Sequence, residues 1–188
     1  MDILENFIGG RYQAPLQQQY IDNIEPATGQ IYGRIPDSDE LDLAQAIKAA
    51  EQALPTWRAM PIEERAEILF KLGNEIQTQL SSLALAESTD NGKPLALATN
   101  VDIPRAASNF KFFAHACSQF SSESHGMAQE AINYTLRQPI GIVGCISPWN
   151  LPLYLFTWKI APALAAGNCV IAKPSEVTPK TAAMLGEI

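Results

Sequence analysis

Residues 140–176, IGIVGCISPWNLPLYLFTWKIAPALAAGNCVIAKPSE, decide how this chain folds. Ile140 to Ile146 is a mostly apolar run of the kind that makes a strand buried on both faces. The polar turn Ser147-Pro148-Trp149-Asn150 ends it. Pro152 suits the opening turn of a helix and Gly167-Asn168 its C-terminal cap, which predicts a crossover helix of about fifteen residues, roughly 22 Å. Pro162 inside it implies a local irregularity. A second strand leaves at Lys173-Pro174-Ser175-Glu176. In a right-handed βαβ unit both strand exits open at the same end of the sheet, where open α/β sheets bind their ligands. The fold class is therefore α/β.

Upstream, the first 36 residues alternate short strands with turns. Phe7-Ile8 and Arg11-Tyr12 flank Gly9-Gly10, a two-residue hairpin signal. Pro26-Ala27-Thr28-Gly29 is a second turn. A helix starts near Ser38, carries Leu43, Ile47, Ala50 and Leu54 on one face, and is expected to stop at Pro55. Another opens at Pro61, with Ile62, Ala66, Leu69, Leu72, Ile76 and Leu80 at helical spacing. The pattern continues through Leu83 and Leu85 and breaks at Asp90-Asn91-Gly92-Lys93. A third helical region, Leu95 to Phe120, contains Pro104, which should kink or split it. Ile132, Tyr134 and Leu136 then alternate with Asn133, Thr135 and Arg137, predicting a half-buried strand. No repeat or linker divides the chain.

The 188 residues suffice for one ordinary domain with a sizeable core. Thirteen basic against twenty acidic side chains give a net charge of −7 with no basic stripe, which argues against nucleic acid and anionic membrane surfaces as partners. The N-terminal MDILENFIGG lacks the apolar core of a signal peptide. Leu151 to Ala166 carries Lys159 and two prolines, so it reads as a buried helix and not a membrane span. Cys117, Cys145 and Cys169 are three unpaired thiols, as expected of a reduced, cytoplasmic protein. No metal-ligand spacing surrounds His115 or His125.

The chemistry gathers at the two exits. An amide at Asn150 can donate to an oxygen that becomes negative during reaction, without any change of protonation; it can equally cap the helix that follows. Lys173 can hydrogen-bond a ribose or phosphate and Glu176 can take ribose hydroxyls. The same two residues also suit a solvated ion pair. There is no G-x-G-x-x-G fingerprint to support a dinucleotide site independently.

Taken together, SPWNLPLYLFTWKIAPALAAGNCVIAKPSEVTP resembles the aldehyde dehydrogenase superfamily. The shared features are the PWN-x-P turn, Trp158-Lys159, Pro162-Ala163-Leu164, the Gly167-Asn168 cap and the KPSE turn. The hairpin start, the ATG and DNGKP turns and the NFKFFA helix extend the likeness over essentially the whole chain. LENFIGG and DIPR with NFKFFA look most like the branch acting on 2-aminomuconic or 2-hydroxymuconic semialdehyde. The resemblance implies a partial Rossmann-like NAD-binding domain over residues 1–188, with an oligomerisation strand at about 123–138 and a homodimer or homotetramer in the complete form. It implies Asn150 as oxyanion-hole donor. Lys173 and Glu176 would bind the adenosine ribose, with Ser147, Pro148, Trp149 and Ser175 lining the cofactor's path. NAD is favoured over NADP, because Glu176 would repel a 2′-phosphate. Leu151, Tyr154, Leu155 and Trp158 would wall the passage for a small-molecule aldehyde, or simply pack in the core. Lys159 would join a proton network, or snorkel from the helix.

In the family a cysteine thiolate attacks the aldehyde and a glutamate-activated water releases the acid. Neither motif is present here, and the chain ends twelve residues after Glu176, in the helix opened by Thr178-Pro179. The expectation is the N-terminal part of a longer enzyme, a truncated product or half of a split protein, inactive alone. The competing expectation is a non-catalytic subunit that joins a complementary or full-length chain.

Overall fold

In the computed structural model, which describes residues 2–128 and 130–188, the N-terminal quarter forms two small sheets. Strands β1 (Asp2–Ile3), β4 (Tyr20–Glu25) and β5 (Gln30–Pro36) associate in the order β1-β5-β4, β1 parallel and β4 antiparallel to β5. Strands β2 (Asn6–Ile8) and β3 (Arg11–Gln13) make the expected hairpin, turning through Gly9 and Gly10 at φ of 61° and 80°.

Helix α1 (Glu40–Ala59) begins two residues after Ser38, at a reciprocal capping box. Asp39 accepts from the Leu41 and Asp42 amides, and Asp42 accepts from the Asp39 amide. Pro55 does not end it. The helix runs on because its last turn is anchored from outside: Trp57 Nε1 donates to the Leu164 carbonyl at 3.2 Å. That tertiary contact offsets the backbone hydrogen bond that a helical proline forfeits.

Helices α2 (Ile62–Thr78) and α3 (Leu80–Asn91) meet at Gln79. After them come one turn, α4 (Leu95–Leu97), a π-helical turn at Ala98–Asp102 and α5 (Ile103–Ser118). The disruption foreseen at Pro104 thus takes the form of a π-turn just before it. Proline has no N–H to offer the preceding turn, and widening that turn removes the clash.

The core lies where α2 and α5 pack on α6 (Pro152–Ala165). Leu69, Ile76, Leu83, Ile103, Phe110 and Leu153 are sealed there. Gly73 sets the approach of α2 to α5: a Cβ on it would lie 2.9 Å from the Ala107 carbonyl and 2.8 Å from Lys111 Cγ. Truncating Phe110 to alanine in such a core costs about 3–5 kcal/mol.

Strands β6 (Ser124–Met127) and β7 (Ala131–Tyr134) form a separate antiparallel hairpin. The half-buried strand expected here is instead exposed on both faces; Ile132, Tyr134 and Leu136 are 76%, 65% and 69% exposed. Its alternation is real, but among the described residues no element covers the apolar side.

Strands β8 (Ile142–Ile146) and β9 (Cys169–Lys173) pair in parallel and sandwich α6 in sequence, giving the βαβ unit. Burial of β8 on both faces does not hold. Cys145 is buried but Ile146 is 71% exposed, because a two-stranded sheet covers only part of its surface. The last helix, α7 (Lys180–Leu185), closes with Gly186 at its C-cap. Thr178 does not cap it, and Pro179 occupies the N-cap position without a side-chain bond. Asp90 does that work from α3, accepting the Lys180 amide at 2.8 Å.

Candidate active-site segment

The two strand exits leave the sheet side by side. The β8–β9 register runs from Ile142 opposite Cys169 to Ile146 opposite Lys173, and the Ser147 amide extends it, donating to the Lys173 carbonyl at 3.0 Å. At the far end of α6 the chain returns through a Gly167 cap. The Gly167 amide donates to Leu164 and the Asn168 amide to Ala163, a Schellman pair that needs the left-handed φ of 87° found at Gly167. Asn168 staples this return. Its Oδ1 accepts from the Gly141 amide at 2.9 Å while Nδ2 donates to the Ala163 carbonyl at 3.1 Å.

At the first exit, Asn150 is exposed and does not cap α6; Leu151 holds the N-cap position, with no side-chain bond. The helix N-terminus is satisfied by Glu87, whose Oε2 accepts the Leu153 amide at 3.3 Å. An acidic group there also suits the helix dipole. Asn109 grips the next turn, donating to the Tyr154 carbonyl at 3.0 Å and to Thr157 Oγ1 at 2.9 Å. Asn150 is therefore carried on a fixed backbone, and its side-chain amide makes no hydrogen bond among the described residues. Ser147 is buried, and its Oγ has no partner among the described residues. An unpaired buried hydroxyl costs about 1–3 kcal/mol, so this is a position at which a ligand or water atom is stabilising.

At the second exit Lys173 Nζ lies 3.0 Å from Glu176 Oε2, with both side chains about 60% exposed. The Glu176 carboxyl is held below its ordinary range by its own backbone amide and then by Lys173, so it is ionised at neutral pH. Ser175 is buried, and its Oγ accepts the Val177 amide at 3.4 Å, which tightens the turn. Ammonium, carboxylate and an orphan hydroxyl at neighbouring strand ends are a set of donors and acceptors that could hold a ribose-bearing cofactor.

Of the residues expected to line a substrate passage, Tyr154 and Trp158 meet edge to face at 5.8 Å, and Arg105 lies 5.4 Å over the Tyr154 ring. Leu151 and Leu155 are half-buried, and Pro148, Trp149 and Trp158 are exposed. Lys159 is exposed and close enough to Cys145 to favour its thiolate slightly, yet burial dominates and pushes that thiol up. Burial does the same to Cys117 and Cys169. His115 meets Phe70 edge to face at 5.3 Å, and among the described residues no cluster of His, Cys, Asp and Glu could hold a metal. No helix of the described residues is long and apolar enough to cross a membrane.

The sequence reading missed the residues that hold this site together. Glu87, Asp90 and Asn91, three and four apart on one face of α3, reach both exits. Glu87 takes the Leu153 amide and the Thr181 hydroxyl, the latter at 3.1 Å; Asp90 takes the Lys180 amide; Asn91 Nδ2 donates to the Trp149 carbonyl at 2.8 Å. Asp90 also accepts from Asn23 at 2.9 Å and from the Tyr32 hydroxyl, whose pKa is raised by burial and by that carboxylate. The i, i+3, i+4 spacing of three polar groups at a helix end was the available signal.

Residues 12–188 match the model of the aldehyde dehydrogenase family. The chain is 49% identical over 184 residues to the human 2-aminomuconic semialdehyde dehydrogenase, covering 97% of this chain and 37% of that protein. It is 42% identical to the 2-hydroxymuconic semialdehyde dehydrogenase of Pseudomonas sp. strain CF600, covering 100% of this chain and 40% of that one. The fold superposes on the NAD+ complex of aldehyde dehydrogenase from Bacillus cereus with a TM-score of 0.96 at 31% identity, covering 99% of this chain and 38% of the other. The chain thus spans under half the length of the relatives it matches.

Proposed function

The chain belongs to the aldehyde dehydrogenase family, and from that premise we propose that it forms the cofactor-binding portion of an NAD-dependent enzyme that oxidises a semialdehyde of the muconic type to the carboxylic acid. The observation that carries this reading is the side-by-side departure of the Asn150 turn and the Lys173–Glu176 pair from paired strand ends. The names of the human and Pseudomonas relatives support the semialdehyde.

In this reading Lys173 and Glu176 hold the adenosine ribose, and Ser147, Pro148, Trp149 and Ser175 line the cofactor's path. The ionised Glu176 disfavours a ribose 2′-phosphate and so selects NAD over NADP. NAD, when bound, supplies the hydride acceptor. Asn150 donates its amide to the oxygen that gains charge when the aldehyde is attacked, worth about 10²–10³ in rate for a donor of this kind. Tyr154, Trp158, Leu151 and Leu155 wall the aldehyde's approach, and Lys159 stands at the edge of the proton network. The nucleophile is not among the three buried or half-buried thiols here. The complementary portion of the fold supplies it, together with the general base, and residues 1–188 alone do not turn over.

The test is NADH formation from a 2-hydroxymuconic-type semialdehyde. It compares the 188-residue chain alone with the same residues joined to the complementary portion. The joined enzyme should be active, lose about 10²–10³ in kcat on Asn150→Ala, and accept NADP better after Glu176→Gln. Turnover by the chain alone would overturn the division of roles.

One observation favours a second, non-catalytic reading: the exposed apolar side of β6–β7 suits assembly through residues 123–138 into a homodimer or homotetramer, or onto a full-length subunit. Sedimentation of the wild type against Ile132→Lys tests it, with loss of the higher-mass species as the expected result.

A further inference from the structure

Asn150 makes no helix-capping bond, so its direction comes entirely from the backbone that carries it. The peptide unit entering Asn150 is held chiefly by one side chain from elsewhere in the fold. Asn91 Nδ2 donates to the Trp149 carbonyl at 2.8 Å across 58 residues of sequence. Among the described residues one companion bond joins it, from Thr178 Oγ1 to the same carbonyl, long at 3.5 Å and therefore weak. The Trp149 carbonyl and the Asn150 N–H share one rigid plane. Fixing one end of that plane fixes the origin of the Asn150 side chain.

Asn91 is itself fixed. It is the last residue of α3, followed by Gly92 at φ 77° with its amide on the Ser88 carbonyl at 2.9 Å. Glu87 and Asp90, on the same helical face, tie that turn to α6 and α7.

We propose that Asn91 is a positioning residue for Asn150, a role that rests on the oxyanion-donor reading of Asn150 given above. The bond is solvent-exposed and contributes only about 1 kcal/mol to stability. Its effect on rate is larger, since a displacement of about 1 Å at a catalytic group costs on the order of 10²-fold.

The test uses the complete enzyme, with residues 1–188 continued by a relative's complementary portion where the gene itself supplies none. Asn91→Asp keeps the shape and loses the donor. It should lower kcat/KM for the aldehyde by about 10- to 100-fold, far more than the small drop in unfolding midpoint that losing one exposed hydrogen bond brings. Asn91→Gln, which keeps an amide, should recover most of the rate. In an Asn150→Ala background, Asn91→Asp should have no further effect, because the group it aims is gone. A wild-type rate for Asn91→Asp overturns the proposal, as does an equal loss in the Asn150→Ala background. An unaltered enzyme that makes no NADH from any semialdehyde removes the functional reading, and this role with it.

Discussion

Lys93 Nζ lies 2.6 Å from Asp102 Oδ2 and 3.2 Å from Glu87 Oε1, inside the fold: the three side chains are 6%, 2% and 0% exposed. One ammonium thus bridges the C-terminal end of α3 and the π-turn. Removing it leaves two carboxylates buried without a counter-charge. Lys93→Ala should destabilise the protein by about 3–5 kcal/mol, the usual cost of orphaning a buried charge, seen as a lower urea midpoint at neutral pH. A midpoint within error of wild type would show that the pair contributes nothing.

Glu87 gives a pH signature. Burial raises its carboxyl above the ordinary 4.5, opposed by Lys93 and by the bonds from Leu153 and Thr181. Between the ordinary value and the raised one, the folded chain keeps a proton that the unfolded chain has lost. Stability from this group is therefore full below the unfolded pKa and falls as pH rises through the folded one. Asp90, also raised chiefly by burial, adds a slope of the same sign. Urea midpoints from about pH 4 to 8 should decline less steeply in Glu87→Gln than in wild type. Superimposable curves would remove Glu87 as a cause.

The thiols should be sluggish. All three have pKa values pushed above the ordinary 9.0, burial being the first cause for each. Disulfide-exchange reagents at about pH 7.5 should react far more slowly with the folded chain than with the unfolded one, because the thiolate is the reactive form. Rapid modification of Cys145 or Cys169 in the folded protein would contradict their burial.

Gly167 should tolerate no side chain. Its φ is 87°, and a Cβ there would lie 2.9 Å from Pro139 Cγ. Gly29 has a similar φ of 71° with nothing within 4 Å, which makes it a control. Gly29→Ala should cost about 1–2 kcal/mol from backbone conformation alone, and Gly167→Ala more, measured by chemical unfolding. Equal losses would mean that Pro139 yields freely.

The βαβ unit was legible because its signals are local: an apolar run, a turn, a proline at a helix start, a glycine at its end. The hairpin at Gly9-Gly10 was legible for the same reason. Pro55 misled because a proline's local cost says nothing of Trp57 reaching Leu164, 107 residues away in sequence. The alternation around Ile132 correctly marked a strand with an apolar side, but periodicity cannot say that the covering surface lies outside the strand's own neighbourhood. At the exits, Asn150, Lys173 and Glu176 could be picked out by position. Glu87, Asp90 and Asn91 left only the faint signal of their i, i+3, i+4 spacing, since acids and amides at a helix end ordinarily face water and only the tertiary fold gives them partners.

The span of those clamps has a consequence for the order in which the molecule assembles. Asn168 closes onto Gly141 over 27 residues, while the bonds from α3 close over 58 to 94. Loop-closure entropy grows with span, by about 0.6 kcal/mol per doubling, and distant pairings form late. The two strands and their crossover can therefore meet before anything orients what they present. In pulse-labelling terms, the Cys169 amide should become protected ahead of those of Leu153 and Lys180. The bonds that orient the Asn150 turn are then among the last to form, after the sheet that carries it.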